Sequence, residues 1–486
     1  MCNSCLRILF SALVLLLTNN TVQALPFSSF DPRSMAMGGT GVAVDDPSTA
    51  PFFNPAMLTS ADSSKKFSFE FPVIGVRLID PANMHSNLSN LSTDINSMNS
   101  TISSVQNLAT TLSGTTLSAA NASSVQGQLT LLQQNLTATA TNINQVNSLL
   151  SSLSNQPIQG ELGAATVIGI PGKEWGFAIY ADAWGAMGGT VEYKDGTTLS
   201  NLSGSVSSIA STVGTANTAI TTCAGNAACL AGISGTVTSA INGATVSSPT
   251  LTSKIHIRGV AIDEAGLSIS HGLVTNDHAW SFGFTPKVMQ LRLFDALLAA
   301  NNGTSTSGLI ANDYLASYST LNFDAGIAET YLNGWRTGLV VKNVIPHTFD
   351  FKRANTTGGI PVADGSTLNM NPQMRTGVSY ENKWSTVAFD LDLTRNNPAG
   401  LENQSQYAGI GGEVNTSDWV EVRAGYRYDM INPSQKEFSV GFGLSPRFPY
   451  FKVHADFAVT ASPDIFSTGW NNAVQAGASM KLGLNF

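Results

Sequence analysis

The last segment of the chain, NNAVQAGASMKLGLNF, alternates side chains with a period of two. Phe486, Leu484, Leu482, Met480, Ala478, Ala476 and Val474 fall on one side; Asn485, Gly483, Lys481, Ser479, Gly477 and Gln475 fall on the other. In a strand such a pattern puts all apolar groups on one face. A soluble sandwich tends to end in a frayed polar tail, whereas this chain ends on a large aromatic on the apolar face. Strands of a membrane barrel need this pattern, because lipid-facing and lumen-facing residues alternate and aromatics sit at the interfaces.

The same pattern recurs from about residue 158 onward. VEVRAGYRY sets Val420, Val422, Ala424, Tyr426 and Tyr428 against Glu421, Arg423, Gly425 and Arg427. TVAFDLDL sets Val387, Phe389, Leu391 and Leu393 against Ala388, Asp390 and Asp392, and FKVHADFAV opposes Phe451, Val453, Ala455, Phe457 and Val459 to Lys452, His454 and Asp456. Candidate strands lie near 67–79, 160–171, 175–193, 254–271, 279–293, 319–328, 333–343, 371–380, 384–393, 405–413, 419–428, 437–445, 450–460 and 473–486. The alternation is weakest near 254–271, 319–328 and 405–413. Every second connection is a short turn and the others are longer, which is the layout of an outer-membrane barrel with its short turns in the periplasm. The expected fold is an all-β transmembrane barrel of about 14 antiparallel strands. An even number returns the C-terminus to the periplasmic side, and Phe486 is then expected to act as an assembly signal read by the barrel-assembly machinery.

The first 24 residues carry one cation, Arg7, an apolar run from Ile8 to Leu17, and small residues before a cut after Ala24, as a secretory signal peptide does. That run is too short for a transmembrane helix. Export into the envelope of a Gram-negative bacterium follows, with the barrel over residues 63–486 in contact with outer-membrane lipid. Cys2 and Cys5 leave with the signal peptide. Cys223 and Cys229, in CAGNAAC, read as a disulfide in an oxidising compartment, with a free or metal-binding pair as the alternative. Charged residues make up only 12% of the chain and the net charge is −8. Nucleic acid is therefore not an expected partner, since phosphate binding needs clustered cations.

Two long insertions interrupt the strand pattern. Across 86–157 the only charge is Asp94, and Leu88, Leu91, Ile95, Met98, Ile102, Val105, Ala109 and Leu112 recur at steps of three and four. The pattern resumes from Val125 to Leu153, so this insertion reads as a helical hairpin. Across 198–245, Leu202, Val206, Ile209, Val213, Ala216 and Ile220 make one stripe and Leu230, Ile233, Val237 and Ile241 another, turned by the cysteine loop. A Ser/Thr-rich linker is the alternative, because Thr is a poor helix former.

Catalysis finds no support. There is no nucleophile elbow, phosphate loop, zinc-binding helix motif or paired CxxC, and the six histidines are scattered. No enzyme activity, cofactor or metal is expected. Asp390, Asp392, Glu421, Arg423, Arg427, Lys452 and Asp456 are expected on the lumen face, where they either line a permeation path or satisfy one another.

Residues 25–62 are rich in turn formers and in residues that need burial. Gly38, Gly39 and Gly41 allow tight turns, Asp45 and Asp46 precede Pro47, and Asn54–Pro55 follows Phe52 and Phe53. The lumen is where such a segment would be buried, as a plug. Asp45, Asp46 and Asn54 would then need polar partners on the wall, for which Arg423, Arg427 and Lys452 are the candidates. The run MGGTGVAVDDPSTAPFFNPAMLT resembles the N-terminal hatch of FadL-type outer-membrane transporters. Together with DPRSMAMGGTGVAV it is more similar still to the exported proteins called conjugal transfer TraF-like. For FadL relatives the resemblance implies a plugged barrel of fourteen strands and passive, porin-like uptake of hydrophobic small molecules. The helical insertions depart from that pattern and leave a second expectation open, a structural protein that displays them, in coiled-coil-like pairs, to an envelope or conjugation partner.

Overall fold

A computed structural model describes residues 23–25, 27, 30–46, 48–59, 67–81, 83–154, 156–275, 278–299, 315–352, 366–397, 399–401, 403–446, 448–469 and 474–485. The expected signal peptide, apart from Gln23 and Ala24, and the expected assembly residue Phe486 lie outside the described residues. Fourteen strands close into a barrel. They are β1 (Ser68–Ile79), β2 (Ile158–Ile170), β3 (Trp175–Glu192), β4 (Lys254–Val274) and β5 (His278–Ala299). Next come β6 (Leu315–Tyr331), β7 (Trp335–Lys342), β8 (Gln373–Glu381), β9 (Ser385–Asp392) and β10 (Tyr407–Ser417). The last are β11 (Val420–Asp429), β12 (Lys436–Leu444), β13 (Lys452–Ala461) and β14 (Gln475–Asn485). Each strand pairs antiparallel with the next, and β14 closes on β1 with Met480 opposite Ile74 and Lys481 opposite Val73. Closure removes both sheet edges, the condition for placing a sheet in lipid.

The side chains sort as the alternation requires. Ile74, Val76, Phe177, Ile179, Phe282, Phe284, Phe389, Ile410, Val440 and Phe442 point outward and are exposed, while Lys481, Arg423, Asp390 and Glu70 are buried inside. Trp175, Trp335, Trp384 and Trp419 stand exposed beside the short turns, as an aromatic girdle at one membrane surface.

On β4 and β5 this polarity reverses toward the long-connection end. Outward residues change from Phe282, Phe284 and Val288 to Gln290 and Arg292, and Arg292 pairs on the outer face with Asp263. Asp263 lies eleven residues from the short-turn end of β4 at Val274, or roughly 28 Å up for a strand tilted by about 40°. That height is the top of an apolar band about 25 Å tall. The inner face changes in the opposite sense at the same level, from Glu264 and Lys287 to Ile262, Val260, Met289, Leu291 and Leu293. At this level the inner face of these two strands is apolar, and the outer face carries the Asp263–Arg292 pair beside Gln290.

The long connections after β1 and β3 form helices α3 (Met84–Leu112), α4 (Ala122–Leu153), α5 (Gly196–Cys223) and α6 (Ala227–Asn242). They share one apolar core that includes Ile102, Leu132, Leu136, Ile143, Val206, Val213, Ile220 and Val237. Helix α4 packs against both α3 and α5, so the two insertions make one four-helix layer and not two separate hairpins. Gln126 donates to Thr221 Oγ1 and Asn217 to Thr130 Oγ1 across the α4–α5 seam. Cys223 and Cys229 are joined at the α5–α6 turn. None of these helices is long and apolar enough to cross a membrane.

Candidate functional site

Before β1, the described residues 30–46 and 48–59 lie inside the barrel. Two short helices, α1 (Pro32–Ala36) and α2 (Ala50–Phe53), and a 3-10 turn over Pro55–Thr59 carry the chain from the upper lumen to the short-turn end. Asp31 caps α1 by accepting from the Ser34 N–H at 2.8 Å, and Pro32 sits at the first helical position, where no N–H is missed. Gly38 and Gly39 end this helix with φ of 71° and 82°, a backbone that favours glycine.

From α1 downward the segment is tied to the wall. The Arg33 guanidinium donates to both carboxylate oxygens of Glu413 at 2.8 Å each. Burial works against the Arg33 charge, but Glu413 and Asp46 outweigh it and hold its pKa well above the ordinary value. Asp390 accepts from the Gly41 and Val42 N–H groups at 2.8 and 3.0 Å, fixing the turn that Gly41 opens. Asn54 is fully buried; its amide donates to the Val42 carbonyl at 3.0 Å and to the Ile327 carbonyl at 3.3 Å, and its carbonyl accepts from the Ala56 N–H. Pro55 starts the turn whose end, Thr59, meets Ser270 and Ser281.

The expected wall partners need correction. Asp45 pairs with Arg336 at 3.0 Å, and Asp46 with Lys481 at 3.5 Å and Arg33 at 3.6 Å. Arg423 is instead engaged by Glu413 at 2.6 Å, by Asp456 and by Glu421, so it reaches the segment through carboxylates, Glu413 on Arg33 and Asp456 on Lys481. Arg427 pairs with Glu437 and stacks its guanidinium over the Tyr407 ring at 4.4 Å. Lys452 stands at the short-turn end of β13, opposite Asn485 of β14. The alternation fixes which face a residue takes but not its height, and pairing depends on height. Asp392 binds Arg375 at 2.6 Å, and Lys481 bridges Asp31 at 2.8 Å to Asp456 at 3.6 Å. Arg375 also donates to the Gly39 carbonyl at 3.3 Å, so Arg33, Arg336, Arg375, Glu413 and Lys481 are the ties that sequence reading missed; the strand members among them all sit on polar faces of alternating segments.

Glycines on the wall let the two backbones touch. A Cβ on Gly283 would strike Ala56 N, one on Gly338 the Val42 carbonyl, one on Gly411 the Met37 backbone and one on Gly425 Gly38 N. Several are lateral neighbours, Gly283 opposite Gly326, Gly338 opposite Gly377 and Gly411 opposite Gly425, so they form smooth tracks around the lumen.

Above this polar level lies the apolar belt of Ala186, Val260, Ile262, Met289, Leu291, Leu293 and Ala316, with Trp184 and Tyr318 beside it. The register stacks it across strands, with Trp184 opposite Ile262, Ile262 opposite Leu291 and Leu291 opposite Tyr318. The belt is filled by the chain itself, through Leu25, Phe349, Phe351, Leu368, Met370 and Ala399. At the Gly38–Gly39 turn, between Phe27, Tyr407 and Arg427, a void of about 20 Å³ remains, no more than a water's room. No cluster of metal-ligating side chains occurs among the described residues.

The fold is similar to that of the Ralstonia pickettii toluene transporter TbuX, at 13% identity over 94% of this chain and 98% of that one, with a TM-score of 0.45. The Pseudomonas putida toluene transporter TodX matches at 11% identity over 95% and 98%, TM-score 0.43. A Pseudomonas aeruginosa FadL homologue matches at 9% over 96% and 99%, TM-score 0.44. No curated protein matches the chain. The family model described as "F plasmid transfer operon, TraF, protein" matches residues 51–392, more than half of the sequence, and the chain belongs to that family.

Proposed function

We propose that the protein is an outer-membrane barrel for passive uptake or binding of hydrophobic small molecules, with residues 25–62 as its plug. The observation that carries this reading is the apolar belt. A barrel lumen needs only polar groups that pair with one another, as Arg33 with Glu413, Arg423 with Asp456 and Lys481 with Asp31 do in the lower lumen. The belt departs from it and offers an apolar ligand about 2.5 kcal/mol for every 100 Å² removed from water. A neutral alkane bearing a diazirine tests this by photolabelling the reconstituted protein. Label on Met289, Leu291 or Leu293, assigned residue by residue because Val288 of the same strand faces outward, is the expected result, and label confined to outward-facing residues would overturn the reading.

The four-helix layer supports a second role, contact with an envelope or conjugation partner, since the barrel closes without it. Removal of residues 86–153 and 198–242 together separates the two roles. Loss of cell contact or conjugation with belt labelling intact assigns contact to the helices.

A further inference from the structure

We infer that the short hairpin His347–Asp350 with Thr367–Met370 is a built-in occupant of the apolar belt, which an uncharged ligand must displace to bind. This inference rests on the uptake reading and adds its regulation.

The hairpin is a two-stranded sheet of its own, outside the barrel ladder. Beyond the end of β7 at Lys342 the chain turns inward. Asn343 N donates to Asp324 at 2.8 Å, Val344 N to the Phe323 carbonyl at 3.0 Å and Ile345 N to the Asn322 side chain at 3.0 Å. The hairpin then runs along the lumen face of β6, where the Tyr318 hydroxyl donates to the Asp350 carbonyl at 2.7 Å and the Phe349 ring lies 5.2 Å from that of Tyr318. Phe349, Phe351, Leu368 and Met370 are all buried in the belt. A two-stranded hairpin is marginal by itself. Its place therefore depends on this packing, on the hydrogen bonds that Tyr318 makes to Asp350 and Thr320 to His347, and on a polar latch at its far end. Arg258 donates to Asp295 at 2.7 Å and to Ser366, Ser366 donates to Asp295 at 3.0 Å, and the guanidinium covers the Phe351 ring at 4.7 Å. His256 holds the other Asp295 oxygen at 2.7 Å.

The same pairings set the ligand class. Arg258 at the upper edge of the belt is engaged by Asp295, and Lys287 at the lower edge by Glu264 and Asp324 at 3.0 and 3.1 Å. A carboxylate entering the belt would have to break one of these pairs, which is costly in a water-poor site. A neutral chain or ring has only the hairpin's apolar side chains to replace.

The test photolabels the full chain in proteoliposomes with the neutral diazirine alkane, comparing the parent with Ser366→Ala and Phe349→Ala. Heat-modifiable mobility reports folding, and Ser366→Ala decides alone if Phe349→Ala does not fold. Weakening the latch or emptying the belt should raise labelling at Met289, Leu291 and Leu293 at least threefold. Decanol should compete for it and decanoate should not. Equal labelling of parent and variants overturns the occupant while leaving uptake standing, and stronger competition by decanoate overturns the ligand class. No belt label in any form overturns both this inference and the uptake reading.

Discussion

Arg33 holds Glu413 through two hydrogen bonds of equal length, 2.8 Å, joining the helix before the first strand to β10, 380 residues later. Two-point contact fixes orientation as well as distance. Glu413 also takes Arg423, which in turn holds Asp456, so the inner segment connects to a buried chain of alternating charges.

Arg33→Ala should cost roughly 3–5 kcal/mol, the usual penalty for breaking a buried pair. The barrel should still form, because its ladder does not involve Arg33. Planar-bilayer recordings should show higher conductance than the parent, and removal of residues 34–58 should raise it further. A deletion that inserts normally and conducts no more than the parent would sink the plug.

Gly425→Val should act in the same direction by another route, driving a side chain into the backbone of Met37 and Gly38. Gly412→Val is the control, since a Cβ there meets only the Thr386 carbonyl at an ordinary 3.7 Å. Equal conductance of the two variants would show that close contact at Gly425 does not hold the segment.

Acid should loosen the helical layer at its base. Burial works against the charge of Asp195, but hydrogen bonds from Ser253 and Thr252 outweigh it and lower its pKa. A carboxylate with a lowered folded pKa contributes stability that is complete above its unfolded value and lost as pH falls through the folded one. The thermal transition of the helices, followed by circular dichroism, should therefore fall between pH 5 and pH 2, two values chosen around the ordinary carboxylate range near 4. Asp195→Asn should flatten that slope.

Reduction of the Cys223–Cys229 bond, which closes a loop with a sequence separation of 6, should cost about 2 kcal/mol. Mass spectrometry should find the pair joined, and the loss on reduction should appear in the helical transition while the barrel keeps its mobility on gels.

Deletion of Phe486 should reduce the yield of heat-modifiable barrel in the outer membrane. An unchanged yield would remove its role in assembly.

The fourteen alternating segments coincide with the fourteen strands because each strand separates lipid from lumen, and that contrast is written into every second residue. What the alternation omits is height along the barrel axis. Asp46 therefore meets Lys481 and Arg33, and Asp45 meets Arg336, although Arg423, Arg427 and Lys452 are the candidates by face alone. The belt was missed for a related reason. On β4 the alternation fades where Ile262 and Val260 turn inward as Asp263 turns outward, so a weak strand signal was in fact the mark of the apolar interior. The helical stripes were legible by their spacing, but nothing local in either insertion shows that α4 and α5 face each other.

Across residues 86–153 and 196–242 the four helices carry a single charged side chain, Asp94. A surface without charges exerts no long-range pull, so association with it gains nothing from electrostatic steering. Added salt has almost nothing to screen there. Whatever meets this layer must do so at short range through hydroxyls, amides and methyl groups, at the same rate in fresh water as in brine.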